Sequence, residues 1–74
     1  MTVENRFLID NLIEKLSLKL SQNMGLSIVE AMKLVYNSKL YDDILDIETG
    51  LYFQSPDYNY IHLLEELKED QRKS

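Results

Sequence analysis

The chain contains no cysteine and no tryptophan, one proline, two glycines and a single histidine. Without cysteine there is neither a disulfide framework nor a thiolate set for zinc or iron–sulfur, so a short chain is held by packing and by association. His62, even beside Glu65 and Glu66, leaves a transition-metal ligand set incomplete. It also leaves any serine nucleophile with one imidazole to serve it, and no glycine-rich elbow surrounds a serine. His62 therefore reads as a surface residue among acidic neighbours, on the side away from Leu63, Leu64 and Leu67. No catalytic residue, cofactor site or metal site is expected, and the chain is read as not an enzyme. Long apolar runs are missing as well. The first, Phe7 to Ile9, follows Glu4 and Arg6, so neither a secretory leader nor a membrane span is expected and the simplest location is cytoplasmic.

Basic charge is in deficit. Eight Lys and Arg against 13 Asp and Glu give a formal charge of −5, and the acidic excess grows toward the C-terminus. Phosphate binding needs a contiguous basic surface, which acidic neighbours beside each lysine cancel, so non-specific nucleic-acid binding is not expected. An apolar fraction of 45% with 28% charged residues is that of a folding chain rather than a disordered one. With 74 residues there is room for one domain, which buries only about 60% of the surface of its unfolded chain. A homodimer is the expected supplement to so small a core.

The apolar spacing predicts helices. Over 3–23, Ile9, Leu12, Ile13, Leu16 and Leu20 recur at three and four residues, with Phe7, Leu8 and Leu18 beside them, and Gly25 supplies a left-handed stop. Ser27 and Glu30 form a capping box opening a helix over 27–37, whose inner stripe is Ile28, Ala31, Met32 and Val35, widened by Leu34. Ser38 caps a short helix over 39–46, with Leu40 and Ile44 inward. Thr49 and Gly50 make a turn, and Leu51, Tyr52 and Phe53 follow as an extended aromatic lid within 49–54. Ser55 and Pro56 start the last helix over 56–69, with Tyr60, Leu63, Leu64 and Leu67 inward and Ile61 alongside; 70–74 is a frayed tail. The expected fold is thus all-α: one domain over 1–74, a small bundle of three main helices plus one short helix, crossed by the lid.

Two patterns invite a chemical reading. Asp42, Asp43 and Asp46 have the D-D-x-x-D spacing that holds divalent metal in enzymes acting on prenyl diphosphates, but those need a large helical barrel, and a hard cation needs more oxygen ligands. The triplet reads as a solvated acidic face. Gly25, Leu26 and Ser27 followed by the two short helices over 27–37 and 39–46 could be a helix-turn-helix, which gives the alternative function, a transcription-associated DNA-binding protein. Its second helix, however, carries one lysine against three aspartates.

The aromatics remain. Four of the five tyrosines lie between Ser38 and Tyr60, and tyrosine offers large apolar area with a polar tip. Tyr41, Tyr52, Phe53 and Tyr58 are the candidate partner-binding residues. They either cover the edge of the core or present themselves to another chain.

Ser27, Glu30 and Ala31, then Tyr36, Ser38, Tyr41 and Leu45, and the run Glu48, Thr49, Gly50, Leu51, Tyr52, Ser55, Tyr58, Tyr60 and Leu64 make up a pattern that resembles short uncharacterised bacterial helical proteins. The resemblance covers about 7–67. Such proteins often accompany toxin-like or mobile-element genes, which implies an antitoxin-like or adaptor role and a protein partner, toxin-like or other. The resemblance carries no catalytic motif and implies no site residues.

Overall fold

A computed structural model describes the backbone of residues 3–73 and the side chains of residues 5–69. Among these residues there are four α-helices and no strand. The helices are α1 (Val3–Met24), α2 (Ile28–Tyr36), α3 (Lys39–Leu45) and α4 (Pro56–Lys73), with two single 3-10 turns, Ile47–Thr49 and Leu51–Phe53, between α3 and α4. The last helix thus runs beyond 69. Of the frayed tail expected over 70–74, Ser74 lies outside the described residues.

Each chain reversal has a local cause. Gly25 adopts φ +67°, and the Leu26 N–H reaches back to the Ser21 carbonyl at 3.2 Å, the six-to-one bond of a Schellman stop. The Ser21 hydroxyl donates to the Leu26 carbonyl at 2.6 Å, so the chain leaving α1 is fixed twice. Ser27 accepts the Glu30 N–H at 3.1 Å. The reciprocal half of the box is altered, since the Ser27 hydroxyl itself donates to Glu30 Oε1 at 3.0 Å. Ser38 and Ser55 accept from the N–H groups of Tyr41 and Tyr58, each at 3.1 Å.

The core is the face of α1 formed by Ile9, Leu12, Ile13, Leu16 and Leu20, covered by Ala31 and Val35 of α2, Leu40 and Ile44 of α3, Tyr52, and Tyr60 and Leu63 of α4. Each large aliphatic residue so buried contributes about 1.5–3 kcal/mol. Lys19 and Asp57, 2.6 Å apart, tie α1 to the first turn of α4. Tyr60 Oη accepts from Asn23 Nδ2 at 2.9 Å, which gives the buried ring's polar tip a partner.

Several apolar residues lie outside this core, among them three that spacing assigned inward, Ile28, Met32 and Leu34. Phe7 and Leu18 project from other faces of α1, at 72% and 44% exposure. Ile61 is exposed on α4. In α2 only Ala31 and Val35 are buried, whereas Ile28, Met32 and Leu34 are exposed. A helix of nine residues packed against a single neighbouring face buries one narrow row, and residues three and four apart fill that row by themselves.

The expected extended lid is a turn of 3-10 helix. Gly50 takes φ +68°, after which Phe53 and Gln54 donate to the carbonyls of Gly50 and Leu51 at 3.1 and 3.0 Å. Successive side chains in such a turn diverge by a third of a revolution, so three consecutive apolar residues cannot share one face. Leu51 is half-buried, Tyr52 points inward at 8% exposure and Phe53 outward at 69%.

Candidate functional site

The four aromatic candidates fall into three ring pairs with no member in common. Tyr41, half-buried on α3, meets Tyr36 of α2 edge to face at 5.0 Å between centroids. Tyr52 and Phe53 lie 4.3 Å apart, tilted by 35°. Tyr58, exposed near the start of α4, stands edge-on to His62 at 4.8 Å. Single exposed aromatics are ordinary on a protein surface.

Tyr58 and His62 border a groove of about 320 Å³ that Leu40, Asp43, Leu51 and Glu66 complete. Of its ionisable groups, Glu66 serves the structure. Both Glu66 oxygens accept backbone N–H groups at the start of α3, Lys39 at 2.8 Å and Leu40 at 2.9 Å. Asp46 accepts the Glu48 N–H at 3.1 Å and so opens the first 3-10 turn, while the Asp43 carbonyl accepts from the Thr49 hydroxyl at 2.7 Å. Among the described residues no three His, Asp or Glu side chains are grouped to hold a metal ion. In α3, Leu40 and Ile44 are buried and Lys39, Asp42 and Asp43 face solvent, so the exposed side of this seven-residue helix carries net negative charge.

Among the described residues, exposed large apolar side chains are most concentrated on α2. Ile28, Val29, Met32 and Tyr36 are 41%, 57%, 36% and 45% exposed. Spaced at i, i+1, i+4 and i+8, they form one row along the helix, beside the buried row of Ala31 and Val35. Next to it runs a groove of about 300 Å³ between α1 and α2, lined by Asp10, Ile13, Glu14 and Ser17 on one side and Ile28, Met32 and Tyr36 on the other. Its floor is inert, because Ile13 and Ser17 are buried and the Ser17 hydroxyl donates to the Ile13 carbonyl of its own helix at 2.8 Å. Hence an occupant meets apolar side chains at the centre and carboxylates along the α1 wall. Arg6 stands 3.6 Å from Asp10.

Sequence spacing pointed inward at Ile28 and Met32 and did not single out this row. The signal that could have revealed it was an excess: α2 has seven apolar residues in nine, IVEAMKLVY, more than one buried row can absorb. No family model, no curated protein and no solved structure matches the chain.

Proposed function

We propose that this protein is a non-catalytic protein-interaction module that engages its partner through the α1–α2 face. The observation that carries the reading is the row of Ile28, Val29, Met32 and Tyr36, each at least 36% exposed and bordered by the groove beneath Asp10 and Glu14. Contiguous apolar surface with a polar rim is the usual make-up of a protein-binding patch. Tyr36 holds Tyr41 beside the row, and Phe53, turned outward, is a second contact point that retains part of the aromatic lid's expected role. Tyr52 belongs to the core and supports Phe53 from behind. In this reading the protein works in the cytoplasm, and its role is antitoxin-like or that of an adaptor, the role that the resemblance to short bacterial helical proteins implies.

The test is a photo-reactive side chain placed in turn at Val29, Met32 and, as a control, exposed Gln22, with irradiation in cells. Adducts are expected at Val29 and Met32 and not at Gln22. Their absence at the first two positions, with the protein folded and expressed, overturns the reading.

A further inference from the structure

We infer that the occupant of this face is a second copy of the chain, docked about a twofold axis so that the two α2 helices lie side by side and near parallel, with Lys33 of each protomer over Glu14 of the other. The inference rests on the reading of the α1–α2 face as the docking surface.

Three observations on that face favour a second copy over an unrelated chain. The first is the sign of its edges. Lys33 is exposed on α2, next to Met32 and one turn beyond Val29, on the edge away from α1. Asp10 and Glu14 stand across the groove on the opposite edge. A uniformly basic partner meets Lys33, and a uniformly acidic one meets Asp10 and Glu14. A twofold axis parallel to α2 exchanges the edges and sets unlike charges together. An axis perpendicular to α2 sets Asp10 and Glu14 against their own copies, which like-charge repulsion disfavours.

The second is height along the hairpin. Glu14 and Met32 line the same groove and Lys33 follows Met32, so rotation about that axis brings the charges together without sliding one protomer along the other. Among the described residues neither Lys33 nor Glu14 has an intramolecular ion pair, and both are exposed. Arg6 already serves Asp10, which makes Glu14 the stronger counterpart.

The third is extent. A stable interface takes about 800 Å² of accessible surface from each partner, roughly a sixth of the 5237 Å² that this chain exposes. A contact that large, centred on the α2 row, necessarily covers the charged edges, so their arrangement selects the geometry. A small core with an exposed apolar row is also where association adds most to stability.

The experiment is sedimentation of the full chain across the micromolar range, with far-UV circular dichroism to confirm folding. The expected species has twice the 8.7 kDa chain mass. Met32→Asp, or Val29→Asp should the former fail to fold, is expected to give a folded monomer. Lys33→Glu and Glu14→Lys are each expected to weaken self-association roughly tenfold, and an equimolar mixture of the two to form a heterodimer tighter than either homodimer. A monomeric wild-type chain, a dimer unaffected by both aspartate variants, or a mixture no tighter than its components overturns the inference. If the wild-type chain is monomeric while Val29 and Met32 still cross-link to another protein, the second-copy inference fails and the docking face stands. If cross-linking at both positions is also lost, both fail.

Discussion

Glu66 closes the N-terminus of α3 by accepting the Leu40 N–H at 2.9 Å across 26 residues of sequence, while its second oxygen accepts from Lys39 at 2.8 Å. The first N–H groups of any helix lack intrahelical partners, and a carboxylate there also meets the positive end of the helix dipole. Glu66 thereby couples the position of α4 to the existence of α3. Glu66→Ala is expected to lower the unfolding free energy by about 1–2 kcal/mol, read from urea denaturation. Glu66→Gln keeps one acceptor and loses the charge, so its cost should be the smaller. An unchanged midpoint in the alanine variant would mean that water serves both donors equally well.

Tyr52 and Phe53 are neighbours with opposite roles. Tyr52 is at 8% exposure within the core and Phe53 at 69% outside it. Tyr52→Ala should destabilise by about 3 kcal/mol through the cavity it leaves. Phe53→Ala should cost less than about 1 kcal/mol, the scale of the ring contact alone. If both substitutions cost the same in a thermal melt, the turn does not divide the two rings between core and surface as described.

The helices were legible because the residues that start and stop them act locally. Ser27, Ser38 and Ser55 each bond an N–H three residues on, and Gly25 and Gly50 each need a positive φ, so a few adjacent letters suffice. The burial of α2 was not legible. Ile28 and Met32 share a helical period with Ala31 and Val35, and period alone does not say how wide a face the neighbouring helix covers. Glu66 was read only as a neighbour of His62, since its partners are 26 and 27 residues away and nothing local marks a long-range cap. The triplet Leu51 to Phe53 looked like one apolar patch for a similar reason. Its meaning depends on whether Gly50 leads into an extended strand, which would put Leu51 and Phe53 together, or into a 3-10 turn, which separates all three.

Asn59 is fully buried at the start of α4. Its Nδ2 donates to the carbonyls of Leu51 at 3.0 Å and Ser55 at 3.2 Å, pinning the second 3-10 turn to the helix that follows. Asn59 Oδ1 has no partner among the described residues. Asn59→Asp replaces both donor bonds with a carboxylate facing two carbonyl oxygens and is expected to cost about 3–5 kcal/mol at neutral pH. Asn59→Leu removes the same two bonds but introduces no charge and leaves the Leu51 and Ser55 carbonyls the backbone N–H groups of Gln54 and residue 59, so about 1–2 kcal/mol is expected. Chemical denaturation of the pair separates them; an aspartate variant as stable as the leucine variant would show that water reaches the site.

Two capping serines with the same local pattern should respond differently to the same change. Ser27 is exposed and accepts the Glu30 N–H, so Ser27→Ala should cost about 1 kcal/mol. Ser38 is 5% exposed; its oxygen accepts from Tyr41 at 3.1 Å and its hydroxyl donates to the Val35 carbonyl at 2.6 Å. Removing that hydroxyl opens the start of α3 and leaves the buried Val35 carbonyl with only the Ser38 backbone N–H at 3.2 Å, for an expected loss of about 2 kcal/mol. Aspartate makes the distinction sharper, because it is a good cap but has no proton to donate. Ser38→Asp should therefore be worse than Ser38→Ala, its carboxylate held against the Val35 carbonyl, whereas the bond that Ser27→Asp gives up is to the exposed Glu30 carboxylate, which can turn to solvent, so the variant keeps its cap and should cost less than Ser27→Ala. Urea midpoints of the four variants give the order directly, and a Ser38→Asp protein more stable than Ser38→Ala would show that the bond to Val35 contributes nothing.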